Sequence, residues 1–236
     1  MLEFRWDVQD DLVVAATGYL TDAVAAAARE ARRARVCLSG GSTPRALFAY
    51  LGAHPEMIPS ARLSLWWGDE RPVPAVSDDS NYGTTLRLWL SQWPSFAGDV
   101  HPWPTDRSPE AAARSYARDL QLAFPGEDPP VFDLVFLGIG PEGHTASLFP
   151  DSDALWATTW TAAPYVASKQ TARLTLTLSV LNRAREVVFM AAGDEKRPIL
   201  ETLRNLAAPT PAIPASMVRP ARPPVILTDP AGAGAG

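Results

Sequence analysis

A single cysteine, Cys37, rules out an internal disulfide, and its place inside an apolar stretch reads as core rather than as a nucleophile. Histidine is nearly as scarce, with three in 236 residues, so no spacing of metal ligands is visible. Lysine occurs only as Lys169 and Lys196 among 21 basic residues. Positive charge is in the minority, and a net charge of -5 argues against a dedicated nucleic-acid binder with its basic stripe. The one dense basic run, Arg29, Arg32, Arg33 and Arg35, closes a helical pattern, where cations suit the helix dipole. No apolar run is expected to reach the roughly 18 residues of a membrane span. The N-terminal MLEFRWDVQDD turns acidic too early for a signal peptide. The expected address is the cytosol, with neither nucleic acid nor membrane as partner.

What is present is a globular composition, 47% hydrophobic and 20% charged with eight tryptophans. Length favours one domain over residues 1–230, and the AGAGAG end, 231–236, is expected to be a disordered tail. After a short first strand, an Ala-rich stretch from about residue 10 to 33 reads as one helix. Strands are then expected at 35–38, 63–67, near Val100, at 132–137, 173–178, 186–191 and 225–227. Helices fall between them: one through Leu47 and Tyr50, one capped near Ser80, one over 108–122 and one opening near Asp194. The loop between Trp67 and Ser80 is expected to run from Asp69 to Asp79. Period-two alternation over 173–178 predicts a strand with one wetter face. Strands alternating with helices give an α/β fold: a doubly wound, mostly parallel, Rossmann-like sheet with helices on both faces and room for a small antiparallel extension.

In open sheets of this kind ligands bind beyond the carboxyl ends of the strands. Four polar segments follow strands directly: Ser39-Gly40-Gly41-Ser42-Thr43-Pro44, Gly68-Asp69-Glu70-Arg71, the segment 138–150, and Gly193-Asp194-Glu195-Lys196. They can converge on one crevice. The first offers backbone N–H groups at Gly40, Gly41 and Ser42, several hydroxyls and a helix N-terminus, with Pro44 expected at the first helical position and Ser42 or Thr43 as cap. It suits a phosphate, although an ordinary capped turn would look the same locally. His144 lies among Gly138, Gly140 and Gly143 after the most apolar strand, whereas His54 and His101 precede prolines in loop-like sequence. His144 is therefore the best-placed base, and Gly143 a candidate N–H donor to a developing oxyanion. Asp69 could orient the imidazole or hold a sugar hydroxyl, and Arg71 could hold phosphate.

Together with Ser80-Asn81-Tyr82-Gly83, these segments resemble, in order and over nearly the whole chain, the 6-phosphogluconolactonase branch of the glucosamine-6-phosphate isomerase/6-phosphogluconolactonase family. Gly138-Ile-Gly-Pro-Glu-Gly-His-Thr-Ala-Ser-Leu-Phe-Pro150 is the most specific of them. The resemblance implies a hydrolase that opens 6-phospho-D-glucono-1,5-lactone to 6-phospho-D-gluconate in the oxidative pentose phosphate pathway, without metal or cofactor. It places the catalytic histidine at His144 and contacts to the sugar phosphate at Gly40, Gly41, Ser42, Thr43, Arg71 and Asn81, with further basic contacts from Lys169, Arg173 and Lys196. The chain departs from the family's pattern at Glu142, where Asp is usual, at Lys169-Gln170-Thr171-Ala172-Arg173, where prolines follow the lysine, and at Arg197, where a small residue is usual. Glu142 thus puts a carboxylate one methylene further out beside the base. A deaminase of glucosamine 6-phosphate would continue past the histidine through Asn-Glu-Pro, which Ser147-Leu148-Phe149-Pro150 lacks. A non-catalytic sugar-phosphate sensor would not need His144. A monomer or weak homodimer acting on a small molecule is expected.

Overall fold

The computed structural model describes residues 2–234. Seven parallel strands form the main sheet: β1 (Arg5–Val8), β2 (Ala34–Leu38), β3 (Leu63–Trp67), β5 (Asp99–His101), β6 (Leu134–Leu137), β11 (Val187–Met190) and β12 (Val225–Thr228), in the order β1-β12-β11-β6-β2-β3-β5. Every residue of β3, β6, β11 and β12 is buried, as strands covered on both faces require. The chain runs outward from β2 to β3 and β5, then returns to place β6 on the other side of β2. The reversal point therefore lies between β2 and β6, where a parallel sheet opens a crevice at its carboxyl end.

The helices are α1 (Leu12–Arg29), α2 (Ser42–Ala53), α3 (Asn81–Leu88), α4 (Pro109–Ala123), α5 (Leu178–Leu181), α6 (Arg197–Asn205) and α7 (Pro230–Ala233). Asp11 caps α1 by accepting from Val13 and Val14 N–H, and Ala31, at φ 56°, ends the turn that follows it, so this helix is shorter at both ends than expected. Its alanines make α1 long and apolar enough to cross a membrane by length and composition, contrary to the sequence expectation. In the fold it lays Ala16, Leu20, Val24 and Ala27 against the core. The start of the expected disordered tail is helical instead: Pro230–Ala233 form α7, capped by Asp229, with Ala233 buried. Residues 235 and 236 lie outside the described residues. Three arginines of the basic run, Arg32, Arg33 and Arg35, form ion pairs at the opposite end of the sheet, where Arg32 grips the buried Asp133 with both guanidinium arms at 2.6 and 2.7 Å.

Two smaller sheets complete the fold. β4 (Asp69–Glu70), β10 (Leu174–Leu176) and β7 (Thr161–Ala162) are antiparallel, and β8 (Tyr165–Val166) pairs with β9 (Thr171–Ala172). The first corrects the expectation of a loop beginning at Asp69: the chain turns at Gly68, whose N–H donates to Leu38 O of the main sheet while its carbonyl accepts from Leu176 N of the small one. The wetter face expected over 173–178 is also absent. Leu174, Thr175, Leu176 and Thr177 are all buried, because the alternating threonines satisfy their hydroxyls internally, Thr175 Oγ1 on Leu176 O at 2.8 Å and Thr177 Oγ1 on Thr159 O at 2.5 Å. His101 lies in β5 rather than a loop, stacked on Trp66 at 3.9 Å between centroids.

Glu70 joins the two layers. Fully buried, its carboxylate accepts from the N–H groups of Arg71, Asn81 and Tyr82, each at 2.8 Å, and from Ser80 Oγ at 3.1 Å, which fixes the N-terminus of α3. Glu70→Ala leaves these buried donors unpaired and should cost about 3 to 5 kcal/mol. Urea denaturation measures it, and a loss below about 1 kcal/mol would show that Glu70 does not hold α3.

Candidate active site

Four neighbouring strands, β11, β6, β2 and β3, send their carboxyl-terminal segments into one cleft of about 220 Å³. Its walls are residues 39–44 after β2, Asp69 and Arg71 after β3, residues 138–141, 144 and 146 after β6, and Lys196 after β11, with Asn81 of α3 beneath. The convergence expected of the four polar segments is thus what the strand order produces.

The turn after β2 is built differently from the sequence expectation. Gly41, at φ 113°, is the N-cap of α2, Ser42 is its first helical residue, and Pro44 comes third. No side chain caps this helix, so neither Ser42 nor Thr43 plays the cap role expected of it. The first-turn N–H groups at Ser42 and Thr43 have no intrahelical partner and stand at the wall of the cleft. Gly40 is required for space: a Cβ there would lie 1.9 Å from Asn81 Oδ1. Asn81 in turn donates from Nδ2 to the carbonyl of Asp69 at 2.9 Å and to its carboxylate at 3.2 Å.

His144 is held on two sides. Its ring stacks on Phe149, with centroids 4.2 Å apart and planes at 15°, and its Nδ1–Cε1 edge crowds Gly140, where a Cβ would fall 2.0 Å from Nδ1. The surrounding backbone closes on itself, Gly140 N donating to His144 O and Gly143 N to Gly140 O, both at 2.9 Å. The second bond removes the Gly143 amide from the oxyanion role expected of it. Gly143, at φ 84°, instead backs onto Ile213, and its carbonyl accepts from Ala215 N.

Of the two carboxylates expected near the base, Glu142 is the one beside it: Oε1 lies 3.1 Å from the buried Nδ1, off the line of a hydrogen bond. Burial pushes the Glu142 carboxyl up, but its own backbone N–H, His144 and Lys169 outweigh that and hold it below the usual carboxylate range. With Nδ1 turned to Glu142, Nε2 is the nitrogen available to the cleft. Asp69 lines the cleft, yet its carboxylate is engaged elsewhere, by Ser147 Oγ at 2.8 Å and by Asn81.

The expected cations separate. Arg71 lines the cleft, donates to Asp79 O at 2.6 Å and keeps Nε buried without a partner. Lys196 also lines it, with Glu195 at 3.7 Å. Lys169 and Arg173 are not among the cleft's lining residues. Lys169 is exposed, close enough to act on Glu142, while Arg173 is half-buried and its pKa is lowered, first by burial and then by the neighbouring Arg71. Neither Ser147 nor Phe149 was singled out on the sequence, since nothing local marks a serine that bonds across 78 positions or a phenylalanine that stacks on a histidine.

The sequence profile of the glucosamine-6-phosphate isomerases/6-phosphogluconolactonase family matches residues 7–227. The chain belongs to this family. The 6-phosphogluconolactonase of a Synechocystis strain is 36% identical over 212 residues, 88% of this chain and 85% of the relative, and that of Homo sapiens is 39% identical over 188 residues, 78% and 72%. The solved 6-phosphogluconolactonase of Trypanosoma brucei superposes with a TM-score of 0.85 at 26% identity, covering 99% of each chain. A monomeric glucosamine-6-phosphate deaminase superposes at 0.81 with 15% identity and so shares the fold.

Gly140 gives the sharpest test of this family site. Gly140→Ala must displace the imidazole, because the new methyl group would fall 2.0 Å from Nδ1 and 2.1 Å from Cε1. Catalytic efficiency should fall about a hundredfold, with a circular-dichroism spectrum and unfolding midpoint close to those of the parent. Retention of activity within about threefold would mean that the ring need not lie over Gly140.

Proposed function

We propose that this enzyme opens 6-phospho-D-glucono-1,5-lactone to 6-phospho-D-gluconate, with His144 as base and then acid, and without a metal. The observation that carries the reading is the presence in one cleft of an uncapped helix N-terminus with two flanking cations, and of a histidine whose Nδ1 is turned to a carboxylate. The first feature suits a phosphate and the second suits proton transfer, and a phosphorylated lactone needs both.

In this reading water attacks the lactone carbonyl carbon as Nε2 of His144 takes its proton. Glu142 beside Nδ1 stabilises the imidazolium that results. Collapse of the tetrahedral intermediate breaks the bond to the ring oxygen, and His144 returns the proton to that leaving oxygen. The products are a carboxylic acid, ionised at neutral pH, and a free hydroxyl. The phosphate lies on the first turn of α2, with Arg71 and Lys196 supplying positive charge. The relatives' names support the substrate, and membership of the family supports the reaction class.

Acid release from freshly made 6-phosphogluconolactone, read against its spontaneous opening, tests the assignment. His144→Ala should lose at least about a hundredfold in kcat while remaining folded. Activity within twofold of the parent would remove His144 from the mechanism. The phosphate contacts have their own test. Arg71→Ala and Lys196→Ala should each lose about 1.5 to 3 kcal/mol, roughly ten- to a hundredfold in kcat/KM, on the phosphorylated lactone and far less on unphosphorylated gluconolactone. Equal losses on both substrates would move the phosphate to Lys169 and Arg173.

A further inference from the structure

We infer that Ser147, tied to Asp69 on one side and to Thr175 on the other, is a positioning residue that sets where His144 stands relative to the turn after β2. The inference rests on His144 as the base.

Three observations carry it. Ser147 is buried three residues beyond His144 and two before Phe149, whose ring stacks on the imidazole, so it lies between the base and the ring that supports it. Its two polar groups reach the second sheet: Oγ donates to Asp69 Oδ2 at 2.8 Å, and N–H donates to Thr175 Oγ1 at 3.3 Å. Asp69 and Thr175 are themselves a paired register across β4 and β10, so both tethers end on one rigid point. The segment also needs holding. Ala146, between His144 and Ser147, sits at φ 47°, a left-handed conformation that an alanine adopts only under constraint, in the tight turn closed by Leu148 N–H on Thr145 O at 2.9 Å.

The tether continues to the other end of the cleft. Asp69 accepts from Asn81 Nδ2, and Asn81 Oδ1 fills the space over Gly40 that a side chain would take. Ser147, Asp69, Asn81 and Gly40 are thus contiguous, and they join the loop bearing the base to the turn proposed for the phosphate. Asp69 is 7% exposed and its two oxygens are occupied by these partners, which makes it the anchor of this chain of contacts and not a free base. Removing the hydroxyl of Ser147 leaves the phosphate turn supported by Asn81 but lets the histidine loop drift.

The test separates kcat from binding. Ser147→Ala should lower kcat by about ten- to a hundredfold, the scale of a misplacement near 1 Å. KM for 6-phosphogluconolactone and the calorimetric Kd for 6-phosphogluconate should stay within about threefold. An unchanged kcat in a folded variant overturns the inference, and so does an equal loss of kcat and of affinity for 6-phosphogluconate, which would signify general loosening. Should Ser147→Ala not fold, Thr175→Val, which removes the second tether along with the hydroxyl's own bond to Leu176 O and keeps the side-chain shape, is judged by the same two criteria, with a smaller fall in kcat expected. His144→Ala is measured alongside. If it keeps its activity, the reading of the base fails, whereas loss in His144→Ala with normal Ser147→Ala and Thr175→Val sinks the role of Ser147 alone.

Discussion

Two adjacent carboxylates, Asp69 and Glu70, are buried where the chain leaves the main sheet, and the cleft is arranged around satisfying them. An ionised carboxylate away from water is tolerable only with hydrogen-bond donors on its oxygens. Because neighbouring residues of a strand point to opposite sides, the two side chains draw donors from different directions. Glu70 gathers the first N–H groups of α3, and Asp69 gathers Ser147 from the loop after β6 and Asn81 from α3. Burial holds the Glu70 carboxyl above the usual carboxylate range, and three backbone N–H groups offset this only in part. Two chain segments, α3 and the loop after β6, are thus fixed to this one dipeptide.

The strand pattern and the convergence of the polar segments were legible because they depend on local rules. Apolar runs covered on both faces announced β3, β6 and β11, and glycines at their ends announced the corners where backbone must approach backbone. The strand order then follows from one reversal. What stayed illegible depends on partners chosen by the fold. A carboxylate in a Gly-Asp-Glu-Arg string reads as solvated charge until α3 arrives to use Glu70 as its anchor. The threonines of β10 read as a wet face, since period two reports alternation of polarity and cannot report that Thr175 and Thr177 find acceptors inside. The turn after β2 misled in a similar way: Pro44 fits the first helical position by preference, but the left-handed glycine at 41 begins the helix two residues earlier and leaves its donors uncapped.

That uncapped start separates a binding turn from an ordinary one. A helix N-terminus with a Ser or Thr cap has spent a donor internally, while one that begins on glycine at the wall of a cleft holds its donors for an anion. The sequence could not distinguish the two, because Ser42 and Thr43 were both available as caps. The geometry does so through Gly40 and Gly41 together, one accommodating Asn81 by lacking a side chain and the other turning the backbone into the left-handed region.

The longer side chain at Glu142 affects the other end of the cleft. A carboxylate in line with Nδ1 would fix one tautomer and leave Nε2 unprotonated, as a general base requires. Here the carboxylate reaches 3.1 Å but lies off that line, so it acts on the imidazole through charge more than through direction. Direction must then come from elsewhere, and the surroundings of the ring supply it: Phe149 on one face, Gly140 at the Nδ1–Cε1 edge, and the closed backbone from 140 to 144. Packing takes over the orienting task that a hydrogen bond would perform, and packing of this kind depends on the segment that carries Phe149, which Ser147 ties to Asp69.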